Sequence, residues 1–228
     1  LKQYGGVWMG WHGTSELESD ELEVIKNQHL ESLGYSLYPI NLTDKEIELF
    51  YEGFSNKIIW PLFHDLQSQC HFHPSFWESY KEVTIKFADH ILTQLASHDY
   101  IWVHDYHLML LGQELRNRGV TSKLVFFLHI PFAPLDIFLK IPWRFEILRG
   151  LLNFDFIGFQ TTRDFRNFIQ CVTTLLEDIE IELHETHAIC KIEGRELYLG
   201  TFPISIDFNE FASLAEKDEV HDIARHIK

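Results

Sequence analysis

His104-Asp105-Tyr106-His107 sets a carboxylate and a phenol between two imidazoles, directly after the apolar, β-prone run Tyr100-Ile-Trp-Val103. A carboxylate at the end of a strand can hold a sugar hydroxyl or take part in proton transfer. It can equally be the N-cap of the helix expected to begin near Tyr106, and the residues alone leave both readings open. His129 and Pro131 follow the next apolar run, Lys123–Leu128, while His12-Gly13 follows Val7–Trp11 and Gln160-Thr161 follows Phe154–Phe159. In an open parallel sheet, ligands bind beyond the carboxyl ends of the strands, so these groups are expected to line one edge and face a common cleft.

Other chemistries fit less well. Fourteen histidines raise the question of a metal, but His104 and His107 stand three apart with no H-E-x-x-H or comparable set around them. His71-x-His73 sits in an expected loop before Pro74 and completes no ligand set either, so no metal is expected. A glycosidase needs two acids facing across the scissile bond, and Asp105 has no clear partner. No G-x-S-x-G is present to supply a serine nucleophile.

Aromatic residues supply a second clue. The stretch Phe50–His64 carries Tyr51, Phe54, Trp60 and Phe63 around Gly53 and Ser55-Asn56. Gly53 costs helix stability, and Pro61 pushes Trp60 away from helical geometry. The stretch reads either as a kinked core helix or as a functional surface that breaks local rules. Trp8, Trp11, Tyr51 and Trp60 fall in or near the expected sheet edge, and aromatic faces suit sugar rings. Each alone reads as core. Together with Asp105 and His129 they suggest a carbohydrate pocket.

The elements that must position these groups alternate along the chain. Strands are expected at Val7–Trp11 and Ser36–Leu42, with an acidic loop containing Glu16 to Glu23 between them. Thr43-Asp-Lys-Glu46 reads as a capping box opening the helix into the Tyr51–Trp60 stretch, and Ser75-Phe-Trp-Glu78 as one opening a long amphipathic helix. Tyr100–Val103 is expected to be a strand buried on both faces. A helix stopped by Gly119 then precedes the Lys123–Leu128 strand. Pro134 is placed first in another helix, and Thr161-Thr162 cap a helix through Leu176 after the strand at Phe154–Phe159. Ala188–Ile192 and Arg195–Ile206 around Glu193-Gly194 read as a β-hairpin. The expected fold is α/β: one doubly wound, mainly parallel Rossmann-like sheet with helices on both faces and a hairpin near the C-terminal end.

A length of 228 residues suits one large domain or two small ones. The formal net charge of −15 argues against nucleic acid and anionic membranes as partners. Three scattered cysteines form no C-x-x-C, as expected of a reducing, cytoplasmic setting. No apolar run approaches a membrane span, and the first residues lack a signal-peptide layout. The absence of an initiator Met before Leu1 suggests a piece of a longer protein. A homo-oligomer is compatible with all of this.

Five motifs in one order carry a family resemblance: Trp8-Met-Gly-Trp11, Tyr51–His64, Val103-His-Asp-Tyr-His-Leu108, Phe126-Phe-Leu-His-Ile-Pro-Phe132 and Ile157-Gly-Phe-Gln-Thr161. The series resembles the N-terminal half of trehalose-6-phosphate synthases, retaining glucosyltransferases of the two-Rossmann-domain (GT-B) type. The resemblance implies transfer of glucose from UDP-glucose to glucose 6-phosphate, with no metal or other cofactor. It implies that Trp8, Tyr51 and Trp60 border the acceptor glucose, that Asp105 with Tyr106 beside it binds acceptor hydroxyls, and that His129 faces the donor sugar. It also implies that the acceptor hydroxyl attacks on the face the leaving group departs from and that the donor phosphate takes the proton. It further implies that residues 1–207 form an acceptor-side domain and 208–228 begin the link to a donor-nucleotide domain. The family's first strand and its phosphate anchors are expected outside these residues, leaving Lys57 and Arg163 as local cations. A non-catalytic sugar-phosphate sensor or subunit-interaction module on the same fold is the alternative, as is a synthase using glycerol 3-phosphate.

Overall fold

The computed structural model describes residues 6–15 and 35–226; the acidic stretch at Glu16–Glu23 lies outside them. Strands β1 (Val7–Trp11) and β2 (Ser36–Ile40) pair in parallel, and β2 ends two residues earlier than the sequence suggests. A six-stranded sheet holds β3 (Tyr100–His104), β4 (Lys123–Leu128), β5 (Phe156–Phe159), β6 (Glu180–Leu183), β7 (His187–Ile192) and β8 (Arg195–Thr201) in the order β3-β4-β5-β8-β7-β6. The first four neighbours run parallel, and β7 and β6 add antiparallel.

The fold class is as expected, with two differences in the sheet. β1 and β2 form a separate two-stranded sheet instead of extending the larger one. β3 is therefore the last strand of its sheet and is not buried on both faces: Val103 is buried, but Tyr100 is 77% and Trp102 62% exposed. The hairpin forms as read, with Glu193 and Gly194 both at positive φ, the two-residue turn that matches strand twist. Its second arm ends at Thr201, and Glu180-Ile-Glu-Leu183 adds a strand that the sequence reading passed over.

The helices explain themselves locally. Thr43 caps Asp44–Glu46 (α1) through the expected capping box, with Glu46 N donating to Thr43 Oγ1 at 3.2 Å and Thr43 N to Glu46 Oε2 at 2.8 Å. Residues Ile47–Ile59 then continue as a π-helix, which tightens into an α-helix at Trp60–Phe63 (α2). Trp60 keeps helical angles (φ −57, ψ −54), so Pro61 does not eject it as the local rule suggests. In the wider register the Trp60 N–H reaches back five residues to the Ser55 carbonyl. The Lys57 carbonyl accepts from His71 N at 2.9 Å.

The long helix α3 runs Pro74–Gln94. Its cap is His73, whose Nδ1 accepts from Ser75 N at 3.2 Å, and not Ser75; Pro74 takes the first turn, where its missing donor costs nothing. A 3₁₀ turn at Tyr106–Leu108 precedes α4 (Leu111–Asn117), which stops before Gly119 at φ +80. Pro134 caps α5 (Leu135–Phe138) from just outside it, and α6 (Arg144–Leu151) leads to β5. Thr161 caps α7 (Thr162–Leu175) as read. Phe208–Ala215 (α8) and Asp218–His226 (α9) close the described chain. α3, α4 and α6 pack in series, and α7 packs on α5, β5 and β8. The core between them is aromatic, with Phe54, Tyr80, Phe126, Phe154 and Phe159 essentially inaccessible.

Candidate functional site

The carboxyl ends of β3 and β4 bring His104, Asp105 and His129 together. Parallel pairing sets His104 opposite Phe127, so the two chain exits lie side by side, and Asp105 N donates to the Phe127 carbonyl at 2.8 Å. Asp105 sits at φ 66, ψ 176, a region normally left to glycine. Holding a β-carbon there costs about 1–3 kcal/mol, and such residues gather at functional sites. The geometry bears out the cap reading of Asp105. Its Oδ1 accepts from Tyr106 N at 3.0 Å, capping the 3₁₀ turn, and from His129 N at 3.3 Å. That leaves the second carboxylate oxygen for a hydroxyl donor.

His104 Nδ1 and His129 Nε2 are 3.0 Å apart, so one ring donates and the other accepts. The rings stack at 5.3 Å, with Trp8 over His104 at 5.8 Å and Trp102 against it at 4.6 Å. Burial lowers the pKa of His104, His129 adds to the effect, and the Asp105 charge opposes it. His104 is therefore shifted towards its neutral form.

Tyr51 and Tyr106 form the other wall. Tyr51 stacks flat on His107 at 5.5 Å and 12°, with Trp11 against its ring at 4.9 Å. His107 also contacts the Tyr106 ring at 4.0 Å, and burial keeps its pKa low against the pull of Asp105. Tyr106 donates its hydroxyl to Asn56 Oδ1 at 3.0 Å. Burial, reinforced by the neighbouring Asp105 charge, moves that phenol well above the usual tyrosine value, so it acts as a neutral donor. Beneath, Tyr80 is fully buried; its hydroxyl donates to the Tyr106 carbonyl and accepts from Met109 N, both at 2.9 Å.

Of the six residues singled out from the sequence, Trp8, Tyr51, Asp105, Tyr106 and His129 join in this contact network. Trp60 does not: it is 39% exposed and stacks on His64 at 4.2 Å. Gln160 is engaged elsewhere, its Oε1 accepting from Ile204 N at 2.9 Å, and His12 Nε2 pairs with Asn41 Oδ1 at 2.9 Å. Lys57 and Arg163 are both exposed. Sequence reasoning missed Asn56, Tyr80 and Asp164. Buried Asp164 accepts from Phe132 N at 3.2 Å and Thr161 Oγ1 at 2.6 Å, while Asn167 donates to the Phe132 carbonyl at 2.8 Å. Together they fix the loop that carries His129 and Pro131. The signal for Asp164 was Thr161-x-x-Asp164, an acid three residues after a cap.

Among the described residues, no group of three or more His, Cys, Asp or Glu is placed to hold a metal ion, and no helix is long and apolar enough to cross a membrane. A cavity lined by Arg149, Leu176, Asp178, Ile179, Ile192 and Glu193 lies by the hairpin turn, at the amino ends of the parallel strands and away from this cluster.

Residues 1–228 match the model of glycosyltransferase family 20. The chain is 38% identical over 225 residues to an α,α-trehalose-phosphate synthase [UDP-forming] of Candida albicans, covering 97% of this chain and 46% of that protein. It is 34% identical over 232 residues to a trehalose-6-phosphate synthase of a Mycobacterium species, covering 100% and 46%. Among solved structures, the Burkholderia xenovorans α,α-trehalose-phosphate synthase (UDP-forming) in complex with glucose-6-phosphate superposes with a TM-score of 0.83 at 29% identity, over 98% of this chain and 49% of that one. An Escherichia coli structure described as trehalose-6-phosphate bound with UDP-2-fluoro glucose gives 0.84 at 30% identity, over 99% and 48%. The chain thus spans about half the length of the relatives it matches.

Proposed function

The chain belongs to glycosyltransferase family 20, and we propose that its site is the acceptor side of a retaining transfer of glucose from UDP-glucose to glucose 6-phosphate, giving trehalose 6-phosphate and UDP. The observation that carries the reading is Asp105: a carboxylate held at a strained positive φ by Tyr106 N and His129 N, with one oxygen left over. A structural cap has no need of that backbone. A hydroxyl-binding carboxylate gains a fixed direction from it.

In this reading Asp105 binds acceptor hydroxyls, Tyr106 stands beside it, and Trp8, Tyr51 and Trp60 border the acceptor sugar. His129 faces the donor sugar, oriented through His104. The acceptor hydroxyl attacks on the face that UDP leaves, and the departing phosphate takes its proton. This chemistry asks for neither an enzyme nucleophile nor a metal. Residues 1–207 serve as the acceptor-side domain and 208–228 begin the link to a nucleotide-binding domain; exposed Phe208 and Phe211 on α8 support that division. Free thiols at Cys70, Cys171 and Cys190 support a reducing, cytoplasmic setting.

The test is UDP release from UDP-glucose by the full-length protein, with glucose 6-phosphate and glycerol 3-phosphate compared as acceptors. Release with glucose 6-phosphate alone is the expected result. No release with either from folded protein overturns the catalytic reading in favour of a sensing module.

A further inference from the structure

Thirteen residues of π-helix are unusual, since such turns mostly occur singly and at functional sites. The pitch here has a consequence for the acceptor wall. At about 4.4 residues per turn, Tyr51, Asn56 and Trp60 fall near one line, whereas an α-helix puts Tyr51 and Trp60 on opposite faces. Gly53 lets the widened helix pack closely: a Cβ there would lie 2.7 Å from the Phe76 ring.

Asn56 is the member of that line that reaches the Asp105 turn, by accepting the Tyr106 hydroxyl at 3.0 Å. Tyr106 is then held at three points: its N–H by Asp105, its carbonyl by Tyr80 and its hydroxyl by Asn56. The first two bonds fix the backbone of the turn. Of the three hydrogen bonds only the third reaches the helix that carries Tyr51 and Trp60, and it joins the turn to that helix beside the Tyr51 stack on His107.

We propose that Asn56 is a positioning residue for the acceptor, locking the π-helical line to the Asp105-Tyr106 turn so that the two segments recognise the sugar phosphate as one surface. The inference rests on the acceptor-side reading above and names the residue that unites its two halves. A donor-side role is not part of it, because His129 is held separately through His104 and Asp105.

The experiment is a double-mutant cycle in the full-length protein with Asn56→Ala and Tyr106→Phe, measuring KM for glucose 6-phosphate and for UDP-glucose, and kcat. Each single change is expected to raise the acceptor KM about fivefold, the share of one neutral hydrogen bond, with the donor KM unmoved. The double variant is expected to be no worse than the poorer single, because both remove the same bond. Multiplying effects, or equal losses for both substrates, overturn the proposal. Where the alanine variant does not fold, Asn56→Leu repeats the cycle with matched volume. A wild-type protein that transfers to neither acceptor sinks the functional reading and this inference together. An active wild type with independent mutants sinks the inference alone.

Discussion

Tyr80→Phe removes one oxygen from the floor of the site and leaves every ring in place. Tyr80 is fully buried, packed on Phe54 at 4.2 Å, Phe50 at 5.7 Å and Trp77 at 5.9 Å. The substitution therefore opens no large cavity, and its effect is confined to two 2.9 Å hydrogen bonds, to the Tyr106 carbonyl and from Met109 N. Met109 and Tyr106 are themselves buried, so both backbone groups lose their partner without gaining water. An unsatisfied buried group costs about 1–3 kcal/mol, which gives about 2–6 kcal/mol for the pair. For a chain of this size that is a fall in Tm of about 4–24 °C. Urea titration and thermal melting of wild type and variant, followed by tryptophan fluorescence, measure it. A loss below about 1 kcal/mol with a native spectrum would refute the claim that Tyr80 anchors the turn.

Two further predictions concern packing and pH. Gly53→Ala drives a β-carbon into the Phe76 ring and is expected to destabilise by about 1–3 kcal/mol despite alanine's better helix propensity, with Phe76→Leu in the same chain restoring part of the loss; unfolding midpoints of the three variants check it. His107, packed by Tyr51, Tyr106 and Phe50, titrates below the ordinary histidine value because it is buried, and the Asp105 charge only partly offsets this. The folded chain then binds fewer protons than the unfolded one on acidification, so stability is full above about pH 6.5 and declines as the pH falls below it. His107→Phe is expected to flatten that decline in urea midpoints measured across the range, and parallel curves for the two proteins would contradict the assignment.

Much of the candidate site was legible in the sequence because parallel strands buried by helices announce themselves. Lys-Leu-Val-Phe-Phe-Leu128 and Phe-Ile-Gly-Phe159 are apolar runs that stop at polar residues, and His129 after the first of them belongs to the candidate site. Caps were legible for a similar reason: Thr43 with Glu46 is a local signal that needs no tertiary partner. Other features were hidden because they depend on distant pairing. Nothing in Val-Trp-Met-Gly-Trp11 shows that, among the described residues, β1 pairs with β2 alone and β3 is left at a sheet edge. The helical Trp60 depends on the π register, in which its N–H reaches the Ser55 carbonyl. Asn56 and Tyr80 read as an ordinary amide and a core aromatic until the Tyr106 turn stands between them.

The most direct measurement is acceptor turnover by Asp105→Asn in the full-length protein, alongside its melting temperature. Asparagine keeps an oxygen for Tyr106 N and His129 N, so the turn is expected to survive, while a donor replaces the oxygen left for the sugar. The account predicts near-native stability with transfer to glucose 6-phosphate lowered at least about tenfold, roughly 1.4 kcal/mol of transition-state stabilisation. Near-native transfer would return Asp105 to the role of a cap and contradict the central claim.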